Sequence, residues 1–230
     1  MSFGIRLKVA ADYACFTRPE LKTERVSYDV MTPSAARGIL EAVHWKPAIR
    51  WVIDAIHVLE PIRFASLRRN EVGSKISARN VSTAMARGSV DGLRLNVNDD
   101  RQQRAATVLV KPAYVITAHF EVTERAGADD SVGKHLDMFN RRAAHGQCFH
   151  QPCLGAREFA ADFELIVPDA PMPAPREPSP SLGFGAPRDL GLMLWDIDHA
   201  AQGRPSTFFR ARLEDGVMRV PQPGSPEILR

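Results

Sequence analysis

The chain has 230 residues, 44% hydrophobic and 25% charged, with a net charge of +3, which suits one substantial globular core or a main domain with a small appendage. No apolar run approaches the ~20 residues needed to cross a bilayer. The first six residues, Met1 to Arg6, lack the basic and long apolar regions of a secretory signal, so a cytosolic location is expected.

Ile5, Leu7 and Val9 alternate with Arg6 and Lys8, which predicts a first strand with one buried face. Thr32 suits a helix N-cap and Pro33 the first helical position, and Ala36, Ile39, Leu40 and Val43 form one apolar stripe. His44-Trp45-Lys46-Pro47 ends that helix, because proline disfavours helical geometry at the residue before it. Trp51 to Leu59, rich in Val and Ile, predicts a second strand. Residues 63–104 show little apolar periodicity, and so long an irregular stretch is usually functional, so hairpins or loops over a ligand are expected. The same stretch is basic: 63–111 holds 10 Lys/Arg against 4 Asp/Glu, the electrostatic footprint of a phosphate-binding strip. A solvated, salt-bridged surface gives the same count.

The clearest period of two begins at Val108 and continues through Val110, Tyr114, Ile116, Ala118, Phe120 and Val122. Pro112 interrupts it and marks a bulge, an edge or a strand start near Ala113. A second helix is predicted from Ser131 to Ala144, with Val132, Leu136, Phe139 and Ala143 on one face and Gly146 beyond its end. Phe159 to Val167 supplies another strand. Seven of the 17 prolines then fall between Pro168 and Pro187, a segment read as an extended linker. Leu190–Ile197 predicts a strand, and Thr207–Leu213 and Val217–Val220 flank Glu214-Asp215-Gly216, a hairpin turn.

Strand–helix–strand, a long insertion, then strand–helix–strand is the order of a split βαβ. The expected fold is therefore α+β: a ferredoxin-like (RRM-like) domain over 1–167 carrying the basic insertion 63–104, a Pro-rich linker over 168–187, and a small C-terminal antiparallel sheet over 188–230. RNA-recognition modules share that topology and present their sheet to RNA.

Cys148-Phe149-His150-Gln151-Pro152-Cys153 resembles half a zinc site, but no second Cys or His pair completes it, and a short turn with two buried thiols is preferred. Three cysteines also build no disulfide framework. Two-metal catalysis needs clustered carboxylates, whereas Asp99-Asp100 and Asp129-Asp130 read as solvated turns. No phosphate-binding glycine loop is present. Neither a metal nor a cofactor is expected.

A metal-free ribonuclease needs only a base, a cation beside the phosphate and in-line geometry, because RNA supplies its own 2′-hydroxyl as nucleophile. His44 is the best-placed base, at a helix C-terminus whose dipole modestly favours the charged ring. Trp45 beside it offers a stacking face and Lys46 a phosphate contact; a capping histidine and a core aromatic are the alternatives. Lys111 and His119 share a strand face, yet eight residues separate them by about 26 Å, too far to serve one phosphate. His135, beside Lys134 in the second helix, reads equally well as surface decoration.

Several segments together resemble one family: Asp12-Tyr13-Ala14-Cys15-Phe16-Thr17, Val26-Ser27-Tyr28, the run from Pro33 through His44-Trp45-Lys46-Pro47, Asp100-Arg101-Gln102-Gln103-Arg104, Lys134-His135-Leu136-Asp137-Met138-Phe139, and Leu154-Gly155-Ala156-Arg157-Glu158-Phe159. They are similar to the subtype I-C (Dvulg) branch of the fifth CRISPR-associated family, within the RAMP superfamily. The resemblance covers about residues 3–165 and, loosely, the tail.

The resemblance implies a ferredoxin-like domain with a β-rich extension that cuts precursor CRISPR RNA within the repeat and stays in the type I-C antiviral effector complex. In other branches of the same family the subunit only holds the RNA handle. The catalytic set that the resemblance implies is a Tyr immediately before Trp-Lys-Pro and a later Lys-His pair. The first position is His44 here; the Lys falls on Lys111 in Val110-Lys111-Pro112, which places the family's His on Pro112.

The expectation is a metal-independent endoribonuclease in which His44 moves the proton and Lys111 stabilises the phosphorane. Trp45, Lys46, Arg68, Arg69, Lys75, Arg79, Arg101 and Arg104 would bind RNA. The expected partners are CRISPR repeat RNA and the other effector subunits, with duplex DNA as a further ligand. A handle-binding structural subunit and a general duplex binder are the rival readings.

Overall fold

The structure is a computed structural model that describes residues 4–21, 23–199 and 201–230. Its first half holds β1 (Ile5–Ala10), β2 (Tyr13–Ala14), β3 (Arg25–Val26), α1 (Pro33–Val43), β4 (Ile49–Val58), β5 (Phe64–Val72), α2 (Ala78–Arg87) and β6 (Arg101–Val110). The second half holds β7 (Ala113–Val122), α3 (Val132–Ala144), β8 (Asp162–Leu165), β9 (Arg188–Ile197), β10 (Ser206–Leu213) and β11 (Val217–Arg219). The chain folds as two compact units, one of residues 1–65 with 107–230 and one of residues 66–106.

In the larger unit five strands form a sheet in the order β8-β1-β7-β4-β11, with every pair of neighbours antiparallel. The alternation read from the sequence sets which face is buried. Ile5, Leu7 and Val9 of β1 and Tyr114, Ile116, Ala118 and Phe120 of β7 enter one core with α1 and α3. Thr32 caps α1 by accepting from the Ala35 N–H, and Ser131 caps α3 by accepting from the Lys134 N–H.

β4 holds a bulge, a register shift against β7 between Ile53 and Ala55. Ahead of it Ile49, Trp51 and Ile53 join the core; behind it Ile56 and Val58 do, so the buried parity changes from odd to even. The extra residue, Asp54, lies on the face away from the helices, where His119 Nδ1 meets its two carboxylate oxygens at 2.9 and 3.0 Å.

The stretch read as one alternating run is two strands in two sheets. Lys111 takes a left-handed conformation (φ 47°) and turns the chain, with its N–H donating to the Asp12 carbonyl at 2.7 Å. Pro112 has no N–H to continue a ladder. β6 therefore pairs with β2 and β3, while β7 starts at Ala113 in the central sheet.

The proline-rich segment is not a free spacer. Arg6, on the open face of β1, donates to the carbonyls of Val167, Pro168 and Ala170. Arg176 N–H then bonds the Leu59 carbonyl at 2.8 Å, beyond the end of β4, so residues 167–176 form a strap across that face. In the tail, Asp215 and Gly216 both take positive φ and turn the chain as expected. The strands flanking that turn separate: β10 pairs with β9, and β11 joins the central sheet beside β4.

In the smaller unit β5 pairs with β6. Asp100 closes the unit's loop, accepting from the Ser74 N–H at 2.8 Å and the Ser74 hydroxyl at 2.7 Å. Helix α2, which the sequence did not announce, buries none of its residues and ends at left-handed Gly88. Among the described residues no helix is long and apolar enough to cross a membrane.

Candidate active site

Where α1 stops, His44 turns to extended geometry (φ −152°), and its N–H still donates to the Leu40 carbonyl at 2.9 Å. Its own carbonyl accepts from the Trp51 indole N–H at 2.9 Å, which fixes the backbone. The ring faces inward and is 0% exposed. Helix α3 brings His135, 1% exposed, against it: His44 Nε2 and His135 Nδ1 lie 3.0 Å apart and the rings stack with centroids 5.3 Å apart.

Two facing ring nitrogens at that distance share one proton, so the two rings cannot both be charged without repulsion. Burial, then the charges of Arg142, His135 and Lys46, push the His44 pKa down to about 4. Desolvation thus outweighs the helix dipole, and the expected stabilisation of a charged His44 is reversed. A neutral imidazole at pH 7 is a proton acceptor, and His44 Nδ1 is a buried nitrogen with no hydrogen-bond partner.

Around the pair, Asp130 Oδ1 approaches His135 Nε2 at 3.2 Å, outside hydrogen-bond alignment. A hydrogen bond from the Gly127 N–H, with Lys134 and His135 nearby, holds the Asp130 carboxyl below the usual range. Lys134 Nζ lies 3.5 Å from Asp130 and donates to the Asp129 carbonyl at 3.2 Å. Arg142 reaches the Val43 carbonyl at 2.9 Å.

Lys111 is not part of this constellation. Register pairs Ile49, close after His44, with Val122, and pairs Val58 with Tyr114, close after Lys111. The length of β7 therefore separates the two residues by about 30 Å. His44 and Lys111 cannot serve one phosphate. The Lys-His dipeptide that lies beside His44 is Lys134–His135. His119, bonded to Asp54, is on the opposite face of the sheet.

Of the candidate RNA contacts, Trp45 is 52% exposed and Lys46 is exposed, both just beyond α1. The smaller unit carries the others. Arg68, Lys75, Arg79 and Arg101 are exposed, and Arg101 bonds the Asn98 side chain at 2.9 Å. Arg69 and Arg104 are half-buried against Glu71, at 3.6 and 3.5 Å. Phe149, 86% exposed with its N–H on the Ala42 carbonyl at 2.7 Å, adds an aromatic face near the end of α1. Cys148 and Cys153 are half-buried rather than fully buried thiols.

The sequence offered signals for what was missed. Lys134-His135 is the chain's Lys-His dipeptide, and Asp130 precedes Lys134 by four residues, a spacing that favours contact near a helix N-terminus. What no spacing reveals is that α1's end and α3's beginning meet.

The family model described as "CRISPR-associated protein (Cas_Cas5)", of the Cas5d type, matches residues 4–221. A protein of Mannheimia succiniciproducens named CRISPR pre-crRNA endoribonuclease Cas5d is 57% identical over 230 residues, the whole of both chains. A protein of the same name from Thermus thermophilus is 38% identical, over 98% of this chain and 95% of its own. A crystal structure of a CRISPR-associated protein superposes with a TM-score of 0.67 at 20% identity, covering 99% and 96% of the two chains.

Proposed function

Because the chain belongs to the CRISPR-associated Cas5 family, in its Cas5d branch, we propose that it is an endoribonuclease that cleaves precursor CRISPR RNA within the repeat and remains in the type I-C effector complex. The observation that carries the site is the 3.0 Å contact of His44 with His135, one residue from Lys134.

In this reading the RNA's 2′-hydroxyl attacks the adjacent phosphorus, the bond to the 5′-oxygen breaks and that oxygen takes a proton from solvent, giving a 2′,3′-cyclic phosphate and a 5′-hydroxyl without a metal ion. Neutral His44 takes the hydroxyl proton at Nδ1, and His135, braced by Asp130, stabilises the imidazolium through the shared contact. Lys134 supplies positive charge to the phosphorane. Both rings are covered, so the repeat must displace part of the cover before its hydroxyl reaches Nδ1. Trp45 and Phe149 offer stacking faces, and Lys46 with the basic residues of 66–106 binds phosphates.

A ferredoxin-like core is supported by the order β8-β1-β7-β4, with α1 joining β1 to β4 and α3 joining β7 to β8. Under it we place the RNA domain over 1–167 with the basic insertion 63–104, the Pro-rich linker over 168–187 and the β extension over 188–230, in a protein of the cytosol. The burial of both histidines favours one second reading, a subunit that holds the RNA handle without cutting.

The test incubates the purified protein with its repeat RNA in EDTA, beside an RNA whose cut-site 2′-hydroxyl is replaced by hydrogen. The proposal expects cleavage of the normal RNA alone. Binding of both with cleavage of neither makes the chain a structural subunit, and cleavage that needs added magnesium overturns the metal-free mechanism.

A further inference from the structure

Among the described residues, strand pairing leaves part of one edge of the central sheet without a partner. β11 covers β4 only from Ala55 to His57, and the chain beyond it makes a last bond from the Val220 N–H to the Asp54 carbonyl at 3.0 Å. The remainder of β4, Ile49 to Ile53, spans about 16 Å, and its Ile49 N–H already donates to the Lys46 carbonyl at 3.1 Å. Alternation assigns its main-chain groups. The Ala48 carbonyl accepts from the Thr123 N–H at 2.9 Å, so Arg50 and Val52 also turn toward β7, while Trp51 and Ile53 turn away.

They face a cleft of about 630 Å³ between α1, β9 and the C-terminal segment. The cleft is held open on both sides. Trp195 Nε1 donates to the Pro221 carbonyl at 3.0 Å, and Leu229 and Phe208 exchange two main-chain hydrogen bonds at 2.9 and 2.7 Å. Its apolar lining includes Trp45, Trp195, Val220 and Ile228.

Charge decides what kind of chain fits there. The three arginines that line the cleft are already answered. Arg37 sits on Asp196 at 2.9 and 2.8 Å and on Glu41 at 2.7 Å. Arg230 reaches Asp198 at 3.4 Å, and Arg50 pairs with Glu121. Phosphates bind where cations can be recruited to them, and these are engaged. A row of main-chain donors and acceptors beside apolar walls instead matches an added strand.

We propose that this cleft receives an extended, uncharged, largely apolar segment of a partner protein, which adds to the Ile49–Ile53 edge as a further strand. The inference rests on the reading of the chain as an effector-complex subunit. It places the partner beside Trp45, next in sequence to His44, so docking and cleavage share one neighbourhood.

Hydrogen–deuterium exchange across residues 49–53 tests it in three samples: the isolated chain, the chain with repeat RNA, and the complex purified after co-expression with the other effector subunits. The Trp51 and Ile53 amides are expected to slow by about 100-fold in the complex alone. Unchanged exchange in a complex that contains the chain overturns the inference and leaves the effector reading intact. Protection by RNA alone assigns the cleft to nucleic acid, and protection on concentrating the isolated chain assigns it to a second copy; each overturns the proposal. Failure of the chain to enter any complex removes the effector reading and the proposal with it. Ile228→Trp, which fills the cleft, should reduce incorporation about tenfold while the isolated chain cleaves RNA as before; undiminished incorporation counts against the added strand.

Discussion

His44 costs the fold stability in acid. Its folded pKa lies near 4, below the ordinary histidine value of about 6.5, so the unfolded chain takes up that proton first as pH falls. The penalty is absent above about pH 6.5, grows down to about pH 4 and then levels, reaching at most about 3 kcal/mol. Urea unfolding of the parent should therefore lose more stability between pH 7 and pH 5 than His44→Asn does. Equal losses would place the ring in water. The same substitution should slow repeat cleavage by about 100-fold or more, measured at saturating RNA. At this scale the sequence supplied His44 from its position after α1, and supplied Lys134-His135 as a motif. It could not supply their contact, because their separation of 91 in sequence contains the folding that joins them.

Element by element, the helices and central strands were legible wherever an apolar period met a cap: Thr32-Pro33 opened α1 and Ser131 opened α3. Helix α2 was not, since its stripe of Val81, Ala84 and Met85 is short, sits in a polar stretch and buries none of its residues. The strap was hidden for a different reason. Prolines announce an extended chain but not the surface it crosses, and here Arg6 holds one end and the Leu59 carbonyl the other. Arg6→Leu removes the donor to three carbonyls. Trypsin should then cut after Arg176 several-fold faster, at a cost of about 2 kcal/mol in global stability. An unchanged digestion rate would mean that Arg176 and its neighbours hold the strap without Arg6.

For the whole molecule, the basic excess at 63–111 separates binding from chemistry. Arg68, Lys75 and Arg79 are exposed on the smaller unit, whereas Arg69 and Arg104 lean on Glu71. Replacing the first three with alanine should lower the slope of log affinity against log salt by about 2, from ~0.7 per phosphate contact on single-stranded RNA. Cleavage at saturating RNA should stay near the parental rate. A loss of rate with no change in slope would move those residues from binding to catalysis. Composition showed that such a strip exists; only the folded ladder shows which of its cations are already occupied.

The bulge in β4 makes one residue of a central strand dispensable. Deletion within a buried strand ordinarily throws every following side chain onto the wrong face. Here the strand already contains such a slip. With Asp54 removed, Ile49, Trp51, Ile53, Ile56 and Val58 fall into a single unbroken alternation, and Ile53–Ala118 runs directly into Ala55–Thr117. The shortened protein should fold, with a melting temperature within a few degrees of the parent, and should forfeit the anchor of His119 and Gln222 and the main-chain bond from the Val220 N–H. Removing Val52 instead should abolish folding. The contrast would mark Asp54 as an insertion that the sheet absorbed without rewriting its core.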